Sequence, residues 1–196
     1  MIPDITCIRF PGVLCIYLYN TLICKTGFRI TDKWRKIMSL FGDGAGTIYD
    51  RMLEFFQEDD WHFEPMEDKP ILRMRFKGDN GSWRCYAQAR EEQEMFIFYS
   101  VLEANVPSER RLATAEFLTR ANFGLFIGNF EMDFSDGEVR YKTSLKCDAE
   151  SLSSVLMKHL VYINVLMMDR YFPGLMAVMF AGKSPTEAIA DIEDQS

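Results

Sequence analysis

Phe130-Glu-Met-Asp-Phe-Ser-Asp-Gly-Glu-Val-Arg-Tyr-Lys-Thr143 alternates apolar and polar residues on both sides of Asp136-Gly137. Asp-Gly tolerates the positive φ angles of a two-residue turn, so the stretch reads as a β-hairpin. A two-residue loop there sets the register. Phe134 faces Val139 and Met132 faces Tyr141 on one side; Asp133 faces Arg140 and Glu131 faces Lys142 on the other. Opposite charges then meet on the wet face and large apolar groups on the dry one, each pair worth about 0.2–1 kcal/mol. A slip of one residue would carry the charges into the core. The hairpin predicts an antiparallel sheet with one covered face and says nothing about catalysis.

The chain around it has 196 residues, enough for one domain with a sizeable core. Hydrophobic residues at 48% and aromatics at 14% exclude global disorder. The net charge of −7 argues against a nucleic-acid or anionic-membrane partner, since neutralising phosphates takes clustered Lys and Arg. Of the charged residues, six basic and three acidic fall in 1–47, which leaves the body at −10. Cys7, Cys15, Cys24, Cys85 and Cys147 have neither zinc-knuckle nor redox-pair spacing, and their odd number fits no disulfide framework. Cys85 and Cys147 fall in strand-like runs and read as small hydrophobes, with a reducing cytoplasm as the expected compartment.

Residues 1–44 read as an atypical leader, disordered or an over-extended start, and 45–196 as a single α+β domain. The apolar run 13–19 is too short for a spanning helix, which needs about 20 residues. A membrane anchor and an extra strand or helix are the competing readings of the leader. Gly42-Asp-Gly-Ala-Gly46 lacks the Gly-Lys-Ser/Thr of a phosphate loop and reads as a flexible joint.

In the body, 48–57 shows helical recurrence. Residues 71–77 alternate Leu72, Met74 and Phe76 against Arg73, Arg75 and Lys77, and a turn of two or four residues at Asp79-Asn80-Gly81 leads to the alternation of Trp83, Cys85, Ala87 and Ala89. Residues 95–102 are apolar almost throughout, as in a strand covered on both sides. A helix from Pro107 to near Gly124 precedes the hairpin. A long helix through Leu152, Leu156, Leu160, Ile163 and Leu166 follows it, and Pro173-Gly174 must end or kink it. Ser184-Pro-Thr-Glu187 caps a final short helix. The expected fold is α+β: an antiparallel sheet of about five strands with helices packed on it, in the order α-βββ-α-ββ-α-α.

Motifs of chemistry are scarce. His62 and His159 have no second ligand at metal spacing, and no Gly-x-Ser-x-Gly elbow is present. The acidic run from Glu54 to Asp68 matches no calcium loop or two-carboxylate motif and reads as a solvated face. No catalytic residue, metal site or cofactor is expected. Met157, Met167, Met168, Met176 and Met179 cluster with Tyr171 and Phe172 in the last long helix. Polarisable methionines suit binding surfaces that repack, although core packing explains many such clusters. Because these methionines lie on more than one helix face, Met167, Met168, Tyr171 and Phe172 are the candidate protein-binding residues.

Four stretches carry a family resemblance: Gly78-Asp-Asn-Gly-Ser-Trp83; Ala115-Glu-Phe-Leu-Thr-Arg-Ala-Asn122; Gly128-Asn-Phe-Glu-Met-Asp-Phe134 with Asp136-Gly-Glu-Val-Arg-Tyr-Lys-Thr143; and Met168-Asp-Arg-Tyr-Phe-Pro-Gly174. From about residue 54 to 193 the chain resembles a YbjN-type domain, most nearly the cyanobacterial version of this bacterial family of sensory transduction regulators. The resemblance implies a fold like that of type III secretion chaperones, often dimeric, with a protein-binding or regulatory role and no catalytic residues to carry over. The expected function is therefore a non-enzymatic, chaperone-like or regulatory module in the cytoplasm. It would bind an extended polypeptide through its long helix or an open sheet edge, with a homodimer as a further expectation and no nucleic acid or membrane partner. The alternative is a small-molecule-binding regulator or an unrecognised enzyme, whose pocket would be a polar cavity lined by Arg120, Asn122, Asp169 and Arg170. A basic patch of Arg73, Arg75, Lys77 and Arg84 would serve nucleic acid, but the acidic body opposes it.

Overall fold

The structure, a computed structural model, describes residues 46–194, so the expectations for residues 1–44 lie outside the described residues. Helix α1 (Ile48–Glu58) opens on a capping box: Thr47 Oγ1 accepts from the Asp50 N–H, and the Asp50 carboxylate accepts from the Thr47 N–H. The Glu91 carboxylate accepts from the Ile48 and Tyr49 N–H groups, two of the donors that a helix start leaves unpaired. The face thus fixed buries Ile48, Met52, Phe55 and Phe56.

Strands β1 (Phe63–Pro65), β2 (Ile71–Lys77), β3 (Ser82–Arg90), β4 (Met95–Val101), β5 (Asn129–Met132) and β6 (Val139–Lys146) form one antiparallel sheet, ordered β1-β2-β3-β4-β6-β5. Helix α2 (Arg111–Asn122) lies between β4 and β5 in sequence; α3 (Ser154–Phe180) and α4 (Pro185–Glu193) follow β6. The α+β class, the antiparallel sheet and the element order are as expected, with one strand added. That strand, β1, has only three residues and ends in a proline, too short to display alternation.

The β2–β3 loop has four residues, because Lys77 pairs with Ser82. Trp83, Cys85, Ala87 and Ala89 are buried, as are Phe96, Phe98 and Ser100 opposite them and Tyr141 and Thr143 beyond, so one face of the sheet carries the core. Helices seat on that face, with Phe56 stacked on Phe98 and Phe172 on Trp83. A buried Asn164 on α3 donates to the Phe98 and Tyr141 carbonyls and to Thr143 Oγ1, tying the helix to two strands. On the outer face of β4, Ile97 and Val101 are buried, with cross-strand neighbours Gln88 and Ser144, and Arg84 and Arg140, respectively.

The hairpin corrects the expected register by two residues. Met132 pairs with Val139, Glu131 with Arg140 and Phe130 with Tyr141, leaving 133–138 as a six-residue loop. The parity is unchanged, so the apolar and charged faces are as expected, but Phe134 is exposed and Asp133 lies opposite Glu138, to whose carbonyl its N–H donates, instead of Arg140. Local polar chemistry widens the loop: Asp133 Oδ1 accepts from the N–H and hydroxyl of Ser135, and Asp136 Oδ1 accepts from the Glu138 N–H. Gly137, at φ +87°, donates its N–H back to the Asp133 carbonyl. Glu131 receives both cations, Arg140 at 2.8 Å and Lys142. Burial opposes its charge, but these two partners outweigh burial and hold its carboxyl below the usual range.

Of the two expected effects of Pro173, an end or a kink, the helix does not end there: α3 continues through it to Phe180. Proline removes the hydrogen bond that would reach the carbonyl four residues earlier, here Asp169. The Asn80 side-chain amide donates to that carbonyl at 3.1 Å, so the freed acceptor is satisfied from the β2–β3 loop. At the far end, Arg110 donates to the Val178 and Lys183 carbonyls and caps α3.

Candidate interaction surface

The same loop and helix meet in a second set of bonds. The Asp169 carboxylate accepts from the backbone N–H groups of Asp79, at 3.1 Å, and Asn80, at 2.9 Å. Only glycine fits beside this clamp: a Cβ at position 78 would overlap the Asp169 carboxylate, and one at 81 would lie 2.5 Å from the Phe172 ring. Two of the four motif stretches, 78–83 and 168–174, are thus halves of one joint.

The other two are also a pair. Phe130 turns its N–H and C=O away from β6, toward the open side of β5. The Asn122 side chain meets both, Oδ1 accepting from Phe130 N–H at 2.7 Å and Nδ2 donating to Phe130 O at 3.0 Å. One amide side chain on α2 stands where a neighbouring strand would be, protecting a sheet edge.

Reactive groups are muted. Burial pushes the Cys85 thiol up to about 12 and the Tyr141 phenol up to about 12. His62 and His159 are exposed, and among the described residues no cluster of three His, Cys, Asp or Glu is placed to hold a metal ion. The four polar residues expected around a cavity do not converge. Asn122 and Asp169 are engaged with backbone groups and Arg120 pairs with Glu116; Arg170 lines a cleft of about 440 Å³ with Asn80, Pro173, Lys183 and Asp191. Outer-face cations sit among acids, Arg73 on Glu64 and both Arg75 and Arg84 on Glu103.

The predicted binding residues do not share an exposed patch. Met168 and Tyr171 are buried, Met167 and Phe172 half-buried. Met157 and Met179 are also buried, and Met176 is half-buried. The helix-spanning methionines are absorbed because α3 is packed by the sheet, by α2 and α4, and by the β2–β3 loop, not by the sheet alone. Exposed apolar side chains lie instead on the first half of α3: Val155, Leu156, Tyr162 and, at 58% exposure, Leu166. Phe123, Phe126 and Ile127, in the loop from α2 to β5, are exposed too, Phe126 fully. The sequence signal was present, since a helix apolar all round calls for covering on every side.

One flank of this helix carries a polar anchor. Asp59, just after α1, accepts from Lys158 at 2.6 Å, Tyr162 at 2.9 Å and Trp61 at 3.1 Å. Burial works against its charged form, but the three donors outweigh burial and keep its carboxyl below the usual range.

These features define a helix-backed antiparallel-sheet domain whose motif residues hold elements together and whose surface includes exposed apolar side chains on α3 and in the α2–β5 loop. The family model for YbjN, described as "Putative bacterial sensory transduction regulator", matches residues 49–176, and the chain belongs to this family. A solved structure, "Crystal structure of YbjN, a putative transcription regulator from E. coli", is similar at 11% identity and a TM-score of 0.49, over 71% of this chain and 93% of that one. No curated protein matches the chain. Among the described residues, no helix is long and apolar enough to cross a membrane.

Proposed function

We propose that this YbjN-family chain is a non-enzymatic, chaperone-like regulatory module that acts in the cytoplasm by binding another polypeptide. The supporting observation is the group of apolar side chains on α3 that is exposed among the described residues, Val155, Leu156, Tyr162 and Leu166. Contiguous exposed apolar side chains are a feature of interaction surfaces. The engagement of Asn122 and Asp169 with backbone groups also favours a binding role, since these two polar motif side chains hold elements together.

The test is site-specific photo-crosslinking in cells, with a photoreactive residue replacing Leu166 in the full chain and, as a control, Arg84 on the outer sheet face. A defined polypeptide attached through position 166 and absent from position 84 is the expected result. Equal labelling from both positions, or none, would overturn the reading. The small-molecule alternative draws its support from the cleft at Arg170 and Lys183. It predicts a metabolite that raises the melting temperature of the wild-type chain and not of Arg170→Ala.

A further inference from the structure

Strand β6 is longer than the strand beside it. Its partner β4 runs along all of it, from Arg140 opposite Val101 to Lys146 opposite Met95, whereas β5 accompanies it only from Val139 to Lys142. The direction of each backbone group follows from the ladder. The Leu102 N–H donates to the Val139 carbonyl and the Cys147 N–H to the Glu94 carbonyl, so odd-numbered residues of β6 address the β4 side. The Asp133 N–H donates to the Glu138 carbonyl, so even-numbered ones address the β5 side. Ser144 and Lys146 therefore turn N–H and C=O toward a lane that β5 has left, and among the described residues nothing bonds these four groups.

The lane is opened by Gly128. At φ +81° it turns the chain away from β6, and a Cβ there would lie 2.7 Å from the Lys142 carbonyl oxygen. Just before it, Ile127 is held aside by its carbonyl, which accepts from the Tyr141 hydroxyl at 2.6 Å. On β5 itself, Asn122 covers the outward N–H and C=O of Phe130. Among the described residues, 144–146 has no such cover.

The two sides of the lane differ. On the helix side are Leu145 and the α3 flank carrying Leu156, Leu160 and Ile163, with the Leu160 carbonyl 3.1 Å from Thr143 Oγ1 and the exposed Phe126 and Ile127 near the lane's β5 end. On the outer side are Lys142, already paired with Glu131, and Lys146. Lys146 holds Glu94 loosely, at 3.6 Å with both side chains mostly exposed, a pair that an incoming carboxylate can replace at little cost.

From this juxtaposition we infer that the chain binds an extended segment of another protein by strand addition to Ser144–Lys146, in the lane that β5 vacates. The segment alternates apolar residues, directed toward α3, with acidic residues directed toward Lys146. Backbone bonds supply the register and the alternating side chains the selectivity. This deepens the polypeptide-binding reading above and rests on it, adding the form of the bound segment and its place.

The probe is the heptapeptide acetyl-Val-Glu-Val-Glu-Val-Glu-Val-amide, added to the full-length, isotope-labelled chain. Expected at saturation is at least a tenfold slowing of amide exchange at Ser144 and Lys146, with Thr143 and Leu145, already bonded to β4, unchanged. Methylating the peptide nitrogens of alternate residues provides the control. One of the two methylated sets abolishes binding and the other is tolerated, because only every second amide faces β6. Ser144→Pro, which deletes an outward donor and no inward one, abolishes peptide binding while far-ultraviolet circular dichroism stays that of wild type. Should that variant misfold, the methylated peptides carry the test on the unaltered chain.

Unchanged exchange at Ser144 and Lys146, absence of binding at millimolar peptide, or equal loss from both methylated sets would overturn the inference. So would slow exchange at these amides in the free chain that strengthens with protein concentration, since a second copy would then occupy the edge. A polypeptide crosslinked through position 166 with none of these peptide effects would leave the binding reading standing and remove strand addition.

Discussion

Asn122→Ala is a direct probe of how the sheet edge is held. The substitution deletes the bonds to the N–H and C=O of Phe130, at 2.7 and 3.0 Å, and little else, because the Asn122 side chain is only half-buried. Each such bond contributes a net of about 0.5–1.5 kcal/mol, so the expected loss is about 1–3 kcal/mol. For a chain of this size about 2 kcal/mol lowers the melting temperature by roughly 4–8 °C. The assays are urea unfolding and native-state amide exchange at Phe130, which should accelerate by more than the change in global stability explains. Asn122→Asp separates the two bonds: its carboxylate can still accept from the Phe130 N–H but cannot donate to the carbonyl. It should therefore destabilise while leaving the Phe130 amide more protected than in the alanine variant. A loss below about 0.5 kcal/mol with unchanged Phe130 exchange would refute the idea that one side chain replaces a strand here.

Gly78→Ala places a methyl group in the Asp169 carboxylate and should cost about 1–3 kcal/mol in urea unfolding, whereas Gly124→Ala meets nothing within 4 Å and should stay within about 0.5 kcal/mol. Burial opposes the charge of Asp59, but its three donors hold it below the ordinary aspartate value, so its contribution is present above that value and is lost as pH falls through the lower folded one. The stability gap between wild type and Asp59→Asn, measured by urea unfolding, should accordingly be constant near neutrality and close below about pH 4. With its thiol pushed up to about 12 and buried, Cys85 should remain unmodified by iodoacetamide at pH 8 while half-buried Cys147 is alkylated, as read by peptide mass spectrometry.

Alternation made the sheet legible. Leu72, Met74 and Trp83, Cys85, Ala87 face the core because a two-residue period admits one choice of buried face. The hairpin register was not legible to the residue, since Asp133 and Asp136 bond locally and widen the loop by even steps that alternation cannot sense. The exposure of the α3 methionines was not legible for a related reason: a side chain's type gives no count of the neighbours around its helix, and α3 has more than a sheet against it. The Asn80–Asp169 joint, by contrast, had a readable cue. Pro173 frees the carbonyl of Asp169, and a helix that continues through proline needs an outside donor for it.

The joint between Asn80 and Asp169 spans 89 positions of sequence, and that separation has a consequence for biosynthesis. When Lys146 leaves the ribosome every strand has been made, yet the helix that covers β4 and β6 is still to come. Thirty-four further residues end α3 at Phe180, and at about 5–20 residues per second they take roughly 2–7 s to synthesise. Throughout that interval Phe96, Phe98 and Tyr141 lack their cover, and the nascent sheet presents the kind of sticky surface that general chaperones shield. A protein read as a binder of extended chains thus begins life needing the same protection itself.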